Sequence, residues 1–180
     1  MKADDTAGPL WIRLFGPFEA RVCGQPLPRL RFHKSQMILA LFVLRHGREY
    51  SRSGGMEREW LAGLLWPESA PSAARHNLRN CLTDLRRALG PEAGRLCSSS
   101  SRSLCLDLTG ASVDVLTFDA ALAREQHDPH DESAALDEAV SVYRGPLLEG
   151  WTEEWVFQER QARELVEAVV AEALEEAPAG

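Results

Sequence analysis

Between Ser72 and Gly90 the chain reads SAARHNLRNCLTDLRRALG, and Leu78, Leu82, Leu85 and Leu89 recur there at steps of four, three and four. At about 100° per residue these leucines share one face, so the segment is an amphipathic helix, with Cys81 and Ala88 flanking its apolar stripe. His76, Asn80, Thr83 and Arg87 fall on the opposite side, while Arg75, Arg79 and Arg86 line one shoulder. Asn can pair both amide atoms with adenine, Arg can pair bidentately with guanine or phosphate, and Thr can meet a base edge or a phosphate. The wet face therefore has the chemistry of a DNA recognition helix. Arg is also a good helix former, so a merely solvated face fits the same pattern, and the surrounding elements must decide between the two.

Charge has to be counted by region. The formal net charge of the 180 residues is −7, which taken whole speaks against a polyanionic partner. Residues 1–110, however, carry 16 Lys and Arg against 10 Asp and Glu, a net of +6, whereas residues 111–180 carry 4 against 17, a net of −13. DNA affinity depends on the local field that displaces counterions from phosphates, so a basic module can bind while an acidic one faces away. A hydrophobic content of 44% is enough for a core, and no run approaches the ~18 apolar residues of a membrane span. The opening MKADDTAGPLWIRLFG places two Asp where a secretory signal needs positive charge, so a cytoplasmic location without membrane contact is expected.

Cys23, Cys81, Cys97 and Cys105 include no CxxC pair and no His at ligand spacing, so neither a metal nor a cofactor is expected. They read as reduced thiols packed as small apolar groups, although Cys97 and Cys105 can face each other in a hairpin, which leaves a redox switch open. His127 and His130, in QHDPHDE, lack a third ligand and read as solvated.

Along the chain, residues 1–9 form a polar, flexible tail. Leu10 to Val22 gives two short apolar runs broken at Gly16-Pro17 and followed by a turn at Cys23-Gly24-Gln25-Pro26, a strand pair or small meander. Lys34 to Arg45 is apolar on nearly every side and suits a buried helix; Arg58 to Trp66 repeats at helical spacing and stops at Pro67. Ser51 to Gly55 is a flexible loop, and Ser72 is the expected cap of the basic helix, which Gly90-Pro91 closes. Arg95 to Cys97 and Leu104 to Leu106 then form a hairpin around Ser98 to Ser103. Strands, three helices with the third basic, then a hairpin is the winged helix-turn-helix plan, with Arg102 as the charge on the wing. The remainder, Val113–Glu125, Ala134–Tyr143 and Glu153–Glu176, is acidic and helical and fits helix pairs of the kind that bind proteins.

In this order the chain resembles the actinomycete-type antibiotic regulatory proteins and related bacterial transcriptional activators. The resemblance runs from about Ile12 to about Ala173 through Leu14-Phe15-Gly16-Pro17, Lys34, Leu65-Trp66-Pro67, Ala74-Arg75 and Leu85-Arg86-Arg87-Ala88-Leu89-Gly90. It continues through Val113-Asp114, Phe118, Tyr143-Arg144-Gly145-Pro146-Leu147-Leu148 and Trp155. It implies an α+β chain: a winged helix-turn-helix domain over residues 10–110, then a partial, TPR-like, all-α bacterial transcriptional activator domain over 111–180. It further implies a sequence-specific activator that docks on direct repeats in promoter DNA as a homodimer and contacts RNA polymerase. The family's DNA-contacting helix falls on Arg75, His76, Asn77, Arg79, Asn80, Thr83, Arg86 and Arg87, with Arg102 on the wing. His76, Asn80 and Thr83 are assigned to base edges, and Arg75, Arg79, Arg86 and Arg87 to phosphates.

Three features depart from that family. The loop Ser51 to Met56 is long, the wing tip Ser98 to Ser103 lacks a Gly-aromatic step, and the chain stops where relatives continue with further helices. An enzyme is disfavoured because GxGxxG after a strand, a Walker loop, HExxH and GxSxG are all missing. The stronger rival is a protein-binding scaffold or truncated regulator that has lost DNA binding.

Overall fold

The computed structural model describes residues 8–46, 55–125, 132–161 and 163. Most of the expected tail, loop residues 51–54, the stretch holding His127 and His130, and the helical continuation toward Glu176 lie outside the described residues. The architecture is mixed α+β and divides into two units. Unit 1 comprises Met1–Trp11 and Ala20–Ser112; unit 2 comprises Ile12–Glu19 and Val113–Gly180. Segment 12–19, expected with the N-terminal domain, therefore groups with the C-terminal unit.

Strands β1 (Leu10–Arg13), β2 (Glu19–Val22), β3 (Gln25–Pro26) and β7 (Ser112–Val113) make a sheet in the order β3-β2-β1-β7. β2 and β3 pair antiparallel with Arg21 opposite Pro26 and Val22 opposite Gln25. Cys23 and Gly24 both take positive φ, 49° and 76°, as a tight hairpin turn matched to strand twist requires. Cys23 is exposed there, not packed as a small apolar group.

In unit 1, α1 (His33–Leu44) is buried on every side from Met37 to Leu44, as its almost unbroken apolar run predicts. Helix α2 (Arg58–Leu65) buries Leu61, Ala62 and Leu65 and stops at Trp66, because the residue before Pro67 is pushed out of helical geometry. Lys34 ties the two helices: its Nζ donates to the Leu65 carbonyl and lies 5.0 Å from the Trp66 ring centroid. Helix α3 (Pro71–Leu89) buries Ala74, Leu78, Cys81, Leu82, Leu85, Ala88 and Leu89. Its start corrects the expected cap: Ala70 is the N-cap, Pro71 stands at the first helical position, and Ser72 lies inside the first turn. Gly90 takes φ 53° to end the helix, and a 3-10 turn, Gly90–Arg95, leads into the hairpin.

That hairpin is part of a three-stranded sheet in the order β4-β6-β5, formed by Met56–Glu57, Ser103–Leu106 and Leu96–Cys97. Met56, expected in the long loop, is thus a strand residue opposite Leu104. Gly55 makes that approach possible, since a Cβ there would sit 2.3 Å from the Leu104 carbonyl oxygen. Cys97 lies directly opposite Cys105 and is joined to it by a disulfide, which corrects the expectation of reduced thiols at these two positions. The facing register brings both sulfurs into bonding range.

In unit 2, helices α4 (Asp114–Glu125) and α5 (Glu132–Val142) pack on each other, with Ala121, Ala135 and Ala139 among their buried residues. Residues 154–161 are helical again. Leu14 and Phe15 are fully buried in this unit: the Phe15 ring lies 4.9 Å from Phe118 and 5.2 Å from Tyr143. Leu148 N–H donates to Leu14 O, Gly16 N–H to Pro146 O, and Glu149 N–H to Gly16 O. The Asp114 carboxylate accepts the N–H groups of Leu14, Phe15 and Val115 at 2.7–2.9 Å. Arg160 donates to the carbonyls of Leu147 and Leu148 at 2.7 Å, and Arg163 is buried between Asp119 and Glu159. No described helix is long and apolar enough to cross a membrane.

Candidate nucleic-acid interface

The exposed face of α3 is built by elimination. The helix repeat commits Leu78, Leu82, Leu85 and Leu89 to the core, so His76, Arg79, Asn80, Thr83 and Arg87 are left outward, and all five are exposed. Thr83 Oγ1 donates to the Arg79 carbonyl at 2.9 Å, which occupies its proton but leaves its lone pairs and methyl group for a partner.

Arg75 is exposed too, in a 3.3 Å ion pair with Glu59 of α2. An exposed pair of this kind is worth at most about 1 kcal/mol, so a phosphate can replace the carboxylate. Asn77 is half-buried at the edge of the face. Arg86 is half-buried and donates through Nη2 to the Leu96 carbonyl of β5 at 3.3 Å, so it links the helix to the hairpin. Arg102 is exposed on the hairpin tip, its N–H on Ser100 Oγ at 3.1 Å.

Sequence reasoning missed two residues of this region. Asp84, the acid of α3, is 6% exposed and points inward, where it accepts from Arg31 N–H at 2.9 Å and Ser35 Oγ at 3.0 Å. The outward face of α3 consequently carries no carboxylate. Arg58, at the start of α2, reaches the hairpin twice: its N–H donates to Arg102 O at 2.8 Å and its Nη2 to Ser98 Oγ at 2.9 Å. Burial lowers the Arg58 pKa, and so does the nearby Arg86 charge. Two guanidinium groups thus converge on one strand pair, a cationic junction suited to an anion. Periodicity could have flagged Asp84 as lying next to the apolar stripe; the role of Arg58 depends on the β4–β6 pairing and leaves no local signal.

The charge of the unit survives the regrouping of segment 12–19. Arg13 and Glu19 leave unit 1 together and pair with each other at 3.7 Å, so unit 1 keeps its basic excess.

No protein-family model and no curated protein matches the sequence. Among solved structures the chain is similar to Mycobacterium tuberculosis EmbR in complex with a low-affinity phosphopeptide, at a TM-score of 0.61 and 23% sequence identity. The match covers 94% of this chain and 42% of that one, so the chain spans less than half the length of that structure. At this identity, what the likeness shows is a shared fold running through both units.

Proposed function

We propose that the chain is a sequence-specific DNA-binding transcriptional regulator. In this reading unit 1 is a winged helix-turn-helix in which α2 and α3 form the turn-helix pair, α3 enters the major groove, and the β5–β6 hairpin lies near the minor groove or the backbone. The observation that carries it is the exposed face of α3: His76, Arg79, Asn80, Thr83 and Arg87 stand outward while Asp84 is turned into the core. His76, Asn80 and Thr83 read base edges; Arg75, Arg79, Arg86 and Arg87, joined by Arg58 and Arg102 at the hairpin, hold phosphates. The family resemblance adds direct repeats in a promoter, a homodimer on them, and activation through RNA polymerase. One helix reads few base pairs, so a repeated site is what supplies enough discrimination.

Gel-shift titration of promoter fragments at two salt concentrations tests the reading. Binding that weakens steeply with salt and differs between fragments is expected. A folded protein with no salt-dependent binding to any fragment would be a scaffold instead.

A further inference from the structure

We propose that Cys97 and Cys105 form a reversible thiol–disulfide couple that sets the order of the hairpin tip, and through it the grip on DNA. The second clause rests on the DNA-binding reading above; the first does not. The two residues are directly opposite in the β5–β6 ladder, beside the Leu96–Leu106 pair, with their Cα atoms 5.2 Å apart. At that separation the bond forms and breaks without moving the strands. Both cysteines are half-buried, so a small oxidant or a thiolate can reach them. Cys81, by contrast, is buried in the apolar face of α3, where burial raises its pKa and keeps the thiolate scarce.

That bond is the one covalent tie on a tip otherwise held by a few polar contacts. β5 is two residues long, and a hairpin so short is marginal by itself. Beyond the cysteines, order rests on the Arg58 N–H bond to Arg102 O at 2.8 Å and on hydroxyl contacts: Ser99 and Ser100 with Ser103 at 2.7 Å, and Arg58 with Ser98 at 2.9 Å. The cross-link removes open conformations of the segment between the cysteines, and so presents Arg102 in one place. Arg86 of α3 is bonded to Leu96, the neighbour of Cys97, so the DNA-facing helix senses the same strand.

The chemistry balances with a hydroperoxide as oxidant and a dithiol as reductant. On oxidation one thiolate attacks the peroxide oxygen and its O–O bond breaks; the second thiolate displaces the resulting hydroxyl from sulfur, forming S–S. With hydrogen peroxide, two thiols and one peroxide become one disulfide and two waters. On reduction a thiolate of the dithiol attacks one sulfur and releases the other cysteine; its second thiol then resolves the mixed disulfide, and the reductant leaves as its own disulfide.

The test equilibrates the full folded chain in oxidised and reduced dithiothreitol mixtures, quenches exchange with acid, alkylates all free thiols in denaturant, and maps them by mass. Amide exchange of residues 96–106 and affinity for a bound duplex are read in both forms. Two trapped cysteines in the oxidised form and four in the reduced form are expected, with exchange at the tip about tenfold faster and binding about three- to tenfold weaker on reduction. A Cys97→Ser, Cys105→Ser double variant should behave like the reduced form under both conditions. The proposal is overturned if Cys97 and Cys105 never bridge in the folded chain, if exchange at the tip is identical in the two forms, or if a duplex is bound equally by both. Redox-dependent exchange with no DNA binding in either form would uphold the couple and sink the DNA-binding reading.

Discussion

Ser35 Oγ of α1 donates to Asp84 Oδ2 of α3 at 3.0 Å, with both side chains buried. The same carboxylate accepts from Arg31 N–H, just ahead of α1, whose N-cap residue Phe32 supplies no side-chain cap. An acid from a different helix therefore holds the chain just ahead of α1, accepting also the N–H of the N-cap Phe32 at 3.5 Å, where the helix dipole favours negative charge. One contact thus docks the basic helix on the central one and removes a carboxylate from its outer face.

Asp84→Ala should cost about 1–3 kcal/mol, because the buried Ser35 hydroxyl loses its 3.0 Å acceptor and keeps only the Cys81 carbonyl at 3.4 Å, and the Arg31 N–H loses its partner. Urea unfolding followed by circular dichroism measures it. A loss below about 0.5 kcal/mol, the range of ordinary surface substitutions, would show that the contact is not holding α3 in place.

Asn80→Ala and Arg86→Ala should fail in different ways. Loss of Asn80 removes a base contact, so about 1–3 kcal/mol of discrimination at one position disappears while binding to other sequences changes little. Loss of Arg86 weakens binding to all sequences alike and flattens the salt slope by about one. Titrating both variants against the cognate and a scrambled duplex separates the roles; if each binds every sequence like the parent, α3 does not enter the groove.

Asp114 should titrate near pH 6. Burial lifts its carboxyl to about 6, against the opposing pull of the Phe15, Leu14 and Val115 N–H groups and the Arg13 charge. Between the ordinary aspartate range and 6, the folded chain holds a proton that the unfolded chain has released, so this group makes stability fall as pH rises through that interval. The fall amounts to about 3 kcal/mol and levels off above pH 6. Carbon-13 NMR of the Asp114 carboxyl gives the midpoint directly, and a value near 4 would refute the assignment.

Phe15→Ala should destabilise the chain by about 3–5 kcal/mol, since the ring is fully buried against Phe118 and Tyr143. Phe15→Leu should cost less than half of that. Thermal unfolding monitored by near-ultraviolet circular dichroism distinguishes them, and equal stability of the alanine variant and the parent would exclude the aromatic cluster as a core.

The local elements and the outward residues of α3 were legible before any contact was known. A 3.6-residue repeat is a local property: leucines at 78, 82, 85 and 89 commit one face to the core and thereby name the opposite one. The continuous apolar run made α1 central, and Pro67 and Gly90 stopped their helices for reasons confined to one residue. Tertiary structure alone decided which buried polar group met which partner. Asp84 found Ser35, Arg58 found the hairpin, and Leu14-Phe15 left the strands beside them to join Asp114 and residues 146–149, whereas the facing of Cys97 and Cys105 was already legible as a local hairpin. Such pairings are set by where distant segments of chain come to lie. Hydrogen-bond partners across that distance have no period in sequence, whereas the faces of a helix do.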